Sequence, residues 1–455
     1  MFNLFTAAYF AVGGASVLNA RLVAVTFSVL SLFVLFKLTG QMYGSRIALL
    51  SVVFFGVMPG VIWASRLGYI ETMLEFFFLL SLFFFLNWLR TDNKRDLIVG
   101  GLALGLGFLV KYQMLVAGLV MVAILFVSGR GYLKSRRKSL SILVLMVTAV
   151  VLSWFALTYV FSPGTLNQWI YAISAGDPLR SLYSVRFPTP VFYLVEMTWP
   201  YPDLHPISLF LYLLGLVGLG LLAWRRKQED KFMIVWFAVV YVVFTLIGNR
   251  QWRYVMPLFP VLAVSASSAV CFGYDKMKQS WQKARAVGRS RNLAKVAVGF
   301  LVIFTVATVF VSCVDAYHWV SMNQVNVPIQ EATTYVAGRI QPDESVMIVC
   351  PFEFFSGGMA GFYLQTSNEQ NIVYQYPVLP VDTFTPEFNI NELISQCKAH
   401  NSKYVLISEY QWALPYFNTT LTPKEVAATI YSSGRFTNET SVGLEPNRVF
   451  VLSFG

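Results

Sequence analysis

Glu71 and Glu75 stand one helical turn apart in an otherwise apolar run, and three cations, Lys111, Arg250 and Arg253, border other apolar runs. A carboxylate at a membrane surface can take a proton from a hydroxyl or help hold a divalent metal such as Mg or Mn. Glu71 follows Arg66 by five residues and opens a helix, where the helix dipole would also accept it as a plain cap. For Glu75, a turn deeper, the alternative is a neutral, hydrogen-bonded carboxyl. Lys111 lies between two apolar stretches, the first of them rich in glycine. It suits an anionic phosphate, or it snorkels to the surface. Arg250 and Arg253 precede a stretch that runs apolar from Tyr254 through Pro257 and Pro260. If that helix starts early, both guanidinium groups share a face at its positively polarised end, an unfavourable place for cations unless an anion binds there. Arginine also grips phosphate bidentately. Asp203 and His205 are further candidates on the same face. The histidines, at 205, 318 and 400, are too scattered for a metal cluster, and no Ser/His/Asp arrangement or P-loop is present.

These residues need a frame, and the frame is a membrane. Hydrophobic residues make up 56% and charged residues 13% of the chain, which excludes an ordinary soluble protein. Ten spans are expected, at roughly 19–39, 46–64, 71–89, 97–110, 113–128, 139–161, 206–224, 232–248, 254–273 and 295–314. Most Lys and Arg fall in loops 37–46, 90–96, 130–138, 225–231 and 276–295, which marks that face as cytoplasmic. Arg21, Arg66, Lys111, Arg180, Arg186, Arg250 and Arg253 then lie near the opposite face with the acidic candidates. Scarce charge gathered on one side of a membrane protein marks a functional site. The net charge of +11 orients spans and meets anionic lipid, and gives no case for nucleic acid.

Residues 1–13 are too short to span and read as an interfacial helix. Segment 162–205 is a long, aromatic and proline-rich outer loop, a lid or an interfacial belt. The transmembrane domain covers 1–315. Residues 316–455 read as a soluble, extracytoplasmic α/β domain with a largely parallel sheet, its strands near 346–349, 372–376, 404–408 and 449–453. The turn at Gly357-Gly358 lacks dinucleotide spacing and reads as a loop. Sequons at Asn418 and Asn438 agree with an outside tail, where a Cys350–Cys397 disulfide is one option.

Arg21 after an interfacial helix, Arg66 to Glu71 opening a span, Gly105-Leu106-Gly107-Phe108-Leu109-Val110-Lys111, and Arg253-Tyr254 before Pro257 and Pro260 resemble the GT-C membrane glycosyltransferases. The closest likeness is to the protein O-mannosyltransferase and aminoarabinose transferase branch. The resemblance implies a sugar donor on a polyprenyl phosphate, bound in the outer leaflet of the cell membrane, and a protein or glycolipid acceptor outside the cytoplasm. It implies that Glu71 is an acidic position linked to a metal or donor phosphate, and that Lys111, Arg250 and Arg253, with Tyr254, meet the lipid phosphate. Enzymes of this type begin with a span and an acidic catalytic loop that have no counterpart before Met1, so a chain short of full activity is expected. A transporter or flippase for a lipid-linked anion, or a non-catalytic binding subunit, are the other readings. A transporter would carry inverted repeats and broken midplane helices, and the sequence has neither.

Overall fold

The computed structural model describes residues 1–455 except 129, 163, 165–185, 201–203, 249, 287–291, 323–326, 352–354, 368–370, 377–387 and 411–420. The chain divides into two compact units, Met1–Ser321 and Met322–Gly455.

The first unit is helical. Its helices are α1 (Phe2–Gly13), α2 (Val17–Tyr43), α3 (Ser45–Gly56), α4 (Pro59–Leu67), α5 (Glu71–Thr91), α6 (Lys94–Val110), α7 (Leu115–Val127) and α8 (Arg130–Phe161). After the long loop come α9 (Phe192–Glu196), α10 (Leu209–Arg225), α11 (Gln228–Leu246), α12 (Phe259–Ala286) and α13 (Asn292–Met322). Among the described residues five helices are long and apolar enough to cross a membrane, or six if α3 and α4 form one span bent by 60°. The bend falls where Pro59 occupies the first turn of α4, a position that tolerates its missing N–H. The other helices on the expected spans are shorter or less apolar.

Lipid is the solvent this unit needs. The most apolar stretches of α8 and α13 are only 6% and 11% buried inside the protein. Val160, Phe300, Ile303 and Phe310 on them are all more than half exposed, a surface that water would not tolerate. The span formed by α12 and the turn before it is 83% buried and makes the centre of the bundle. At the basic end, Asp230 is fully buried and fully satisfied. It accepts hydrogen bonds from Arg225 Nε at 2.8 Å and Nη2 at 2.5 Å, from the Tyr43 hydroxyl at 3.1 Å and from the Lys227 amide at 3.0 Å. That one carboxylate ties the ends of α2 and α10 to the start of α11.

The second unit is a five-stranded sheet in the order β2-β1-β3-β5-β4. Its strands are β1 (Ser345–Val349), β2 (Val373–Tyr376), β3 (Ser402–Ser408), β4 (Phe436–Val442) and β5 (Val449–Phe454). β1 pairs in parallel with β2 and β3, whereas β5 runs antiparallel to both β3 and β4, so the sheet is mixed rather than largely parallel. β4 escapes a sequence reading because its core-facing side chains are few. Phe436 is its one buried residue, and Asn438 and Glu439 are exposed. Gly357 opens a helix, α14 (Gly357–Ser367), rather than a plain loop. Cys350 and Cys397 form no disulfide. Both are free and buried, and burial pushes each thiol up to about 12. With so little thiolate, both should resist iodoacetamide at mildly alkaline pH in the folded protein and react once it is unfolded. Peptide-resolved mass spectrometry would detect this, and fast alkylation of either in the native state would contradict it.

Candidate functional site

The opposite end of the helical unit gathers the charged residues. Gly68 ends α4 in the left-handed region at φ 75°, and three residues later α5 begins with Glu71 itself, a favourable place for a carboxylate. α6 ends at Val110, Lys111 takes an extended conformation, and a 3-10 turn over Tyr112–Met114 leads into α7. The close approach of this turn to α5 depends on Gly107. A Cβ there would lie 2.8 Å from Met114 and 2.9 Å from Phe77. Lys111 Nζ consequently donates to Glu71 Oε1 at 2.9 Å, and Arg253 Nε lies 3.7 Å from the same oxygen. Glu71 is 3% exposed. Lys111 sits 4.8 Å over the Tyr254 ring, and the Arg253 guanidinium lies 5.3 Å from the Tyr69 ring and 5.8 Å from that of Tyr254. Three segments distant in sequence meet on one carboxylate.

Several polar atoms around this meeting point are buried and have no hydrogen-bond partner among the described residues. They are Glu71 Oε2, both oxygens of Glu75, Gln113 Oε1 and Arg66 Nη1. Native proteins leave few such groups, and each calls for a physical cause. A polar ligand is the cause that fits a set of them at one place. Glu75, at 2% exposure, has no hydrogen-bond partner among the described residues, where its depth suggested a hydrogen-bonded carboxyl.

Not every candidate joins the cluster. Arg250 and Arg253 do not share an α-helical face, because Trp252–Leu258 is a 3-10 helix with Pro257 inside it and Arg250 precedes its cap. Arg250 instead donates to the Thr245 carbonyl at 3.3 Å and lies 5.9 Å from the Phe192 ring. His205 Nδ1 is 2.6 Å from the Thr198 carbonyl, a bond within its own loop. Asp203 lies outside the described residues, as does most of the outer loop. The described end of that loop is folded against the bundle. Arg186 Nη2 meets the fully buried Glu196 at 2.5 Å, and the Gly60 amide donates to the Pro206 carbonyl at 2.8 Å. Sequence reasoning missed Tyr69 and Gln113. Tyr69 stands two residues before Glu71, and an aromatic so close to a candidate carboxylate was the available signal.

Lys111 also borders a cleft of about 300 Å³ lined by Ile70, Phe108, Leu109, Tyr112 and Trp154, with Phe2 of α1 across from them. A cation at the rim of an apolar slot is the complement of an amphiphile with an anionic head. For a divalent metal the fit is poor. No three Asp, Glu, His or Cys side chains converge among the described residues. Glu71 Oε1 already faces two cations, which leaves Glu71 Oε2 and the oxygens of Glu75 as the acidic donors here.

Residues 1–154 match the Dolichyl-phosphate-mannose-protein mannosyltransferase family. No curated protein matches the chain by sequence. Among solved structures the chain is similar to ArnT from Cupriavidus metallidurans bound to undecaprenyl phosphate, with TM-score 0.66 and 15% identity over 99% of this chain and 87% of that one. It is similar to the oligosaccharyltransferase AglB from Archaeoglobus fulgidus in complex with an inhibitory peptide and a dolichol-phosphate, with TM-score 0.55 and 13% identity over 86% and 58% of the two chains. It also resembles the mycobacterial arabinofuranosyltransferase AftD, with TM-score 0.53 and 14% identity over 98% of this chain and 35% of that one.

If Glu71 holds the cations, the three side chains must be energetically coupled. A double-mutant cycle of Glu71→Gln and Lys111→Met, read by thermal unfolding in detergent, should give a coupling of roughly 0.5–3 kcal/mol. Strict additivity would remove the ion pair from the account.

Proposed function

We propose that this chain, whose fold is that of the GT-C superfamily of membrane glycosyltransferases, transfers a sugar from a polyprenyl-phosphate donor to an acceptor outside the cytoplasm. The observation that carries the reading is Lys111. It stands at the rim of an apolar cleft and shares Glu71 with Arg253. The cleft takes the first isoprene units, and Lys111 and Arg253 take the phosphate. The acceptor hydroxyl oxygen forms a bond to the anomeric carbon while the bond from that carbon to the phosphate oxygen breaks. The lipid phosphate leaves with the electron pair, and the two cations stabilise the charge that develops on it. Glu71 Oε2, buried beside them, receives the hydroxyl proton. Glu71 would thus act twice, through one oxygen on the cations and through the other on the acceptor.

Arg250 and Tyr254 border this site in our reading, Tyr254 as the ring beneath Lys111 and Arg250 as a cation for the sugar or the distal phosphate oxygens. Arg66 and Glu75 supply further polar atoms to the sugar. Mannose-like hexoses and pentoses, and protein or glycolipid acceptors, are all compatible with these residues. A divalent metal, Mg or Mn, is compatible with this reading, and no step is routed through one. A related Archaeoglobus oligosaccharyltransferase has been solved with Zn and sulfate.

Two experiments divide the roles. Arg253→Ala should weaken binding of a polyprenyl-phosphate sugar by roughly 1.5–3 kcal/mol, the range for a hydrogen bond to a charged group. Glu71→Gln should keep most binding and slow turnover by roughly 10²- to 10⁴-fold. Donor binding unaffected by Arg253→Ala would refute the phosphate site, an unchanged rate in Glu71→Gln would refute the base, and donor binding without turnover in the wild type would favour a non-catalytic, lipid-binding protein. We also assign Met322–Gly455 to the outside of the cell. Cysteines introduced there should label with an impermeant reagent in intact cells, and labelling only after permeabilisation would reverse the topology.

A further inference from the structure

α5 carries Glu71 at its first residue and Arg90 in its last turn. At 1.5 Å per residue these ends are roughly 28 Å apart, close to the thickness of a bilayer's hydrocarbon core. Beside Arg90 lies a second cavity, of about 350 Å³, bounded by the ends of α2, α5 and α7 and by the start of α11. We propose that this cavity binds an anionic phospholipid from the leaflet at the basic face.

Its lining is part cationic and part apolar. Arg90 and Lys231 contribute the cationic groups, and Lys231 is exposed. Leu86, Ile124 and Val235 form apolar wall. Arg90 is held in place rather than loose, because Nη1 donates to the Gln41 carbonyl at 2.7 Å and Nη2 lies 3.7 Å from Glu229. Two cations against the one carboxylate of Glu229 leave a net positive site. The neighbouring Asp230 adds no negative potential of its own, since Arg225 neutralises it.

A small water-soluble anion would satisfy the cations but leave the apolar wall unused. A neutral lipid would cover the wall but leave the cations without a counter-ion. A phosphodiester headgroup on an acyl chain answers both, and basic pockets between membrane helices are where anionic headgroups bind. The binding would also bridge α5, whose far end opens the sugar-transfer site, to α7 and α11. The proposal does not depend on that site's chemistry.

Native mass spectrometry of the full chain released from nanodiscs tests it, with phosphatidylcholine as the matrix and phosphatidylglycerol as the probe. The wild type should retain phosphatidylglycerol in preference to phosphatidylcholine. Arg90→Ala with Lys231→Ala should lower that retention roughly thirtyfold, from two cations acting near a membrane surface. Val235→Trp, which fills the cavity and keeps both cations, should lower it as well, whereas Lys94→Ala with Arg95→Ala, outside the cavity, should not. A double variant or a Val235→Trp variant that retains phosphatidylglycerol like the wild type would overturn the assignment. So would equal retention of the two lipids. Displacement of the probe by excess inorganic phosphate would show a site for water-soluble anions instead.

Discussion

A carboxylate taken out of water is costly unless cations and hydrogen bonds replace the solvent, and at Glu71 the replacements come from far along the chain. Lys111 arrives from the break between α6 and α7, and Arg253 from the 3-10 turn that leads into the central span. Removing one partner of such a buried set leaves an uncompensated charge, which is why these contacts constrain the packing of three segments at once. The close seating of the Lys111 turn on α5, which only a glycine at 107 permits, follows from the same constraint. The helix positions around the site are therefore not free parameters of a loosely packed bundle.

The two ends of the bundle treat polar groups in contrasting ways. Asp230 has every oxygen engaged and closes a structural knot between three helix ends. Around Glu71, by contrast, buried oxygens and a guanidinium nitrogen stand without hydrogen-bond partners among the described residues. A membrane interior offers little water to such groups, so unpartnered carboxylate oxygens beside a pair of cations suit a polar molecule. Two carboxylates of similar burial thus have separable roles, one completed by the fold and one completed by a ligand.

Much of this was legible in the sequence, and the limits have identifiable causes. The apolar runs, the break at Lys111 and the opening of a helix at Glu71 are local features, written in composition and in the Gly-rich stretch before Lys111. Which cation reaches which carboxylate is not local, since residues 71, 111 and 253 meet only after the helices pack. The pairing of Arg250 with Arg253 failed because the expected α-helical start is a 3-10 turn around Pro257, which hands Arg250 to Phe192 and Thr245. Tyr69 was passed over because an aromatic in an apolar chain carries no signal until a guanidinium lies on it. In the second unit the sheet is mixed because β5 runs antiparallel to β3, and β4 was missed because its exposed polar residues hide it from any hydrophobic pattern.

The aromatic packing behind Arg253 has an optical consequence. Trp63 stacks on Tyr69 at 4.7 Å and lies 5.5 Å from Trp252 and 5.4 Å from Trp319, with the latter two 5.3 Å apart. Three indoles at such separations exchange excitation, and their shared spectrum depends on small changes in mutual orientation. Tyr69 connects them to the Arg253 guanidinium, and Trp252 is its neighbour in sequence. Any event that draws Arg253 toward an incoming anion would tilt the rings it rests on. The protein therefore carries, one residue away from its candidate phosphate ligand, a chromophore whose near-ultraviolet dichroism can report on that site with no label attached.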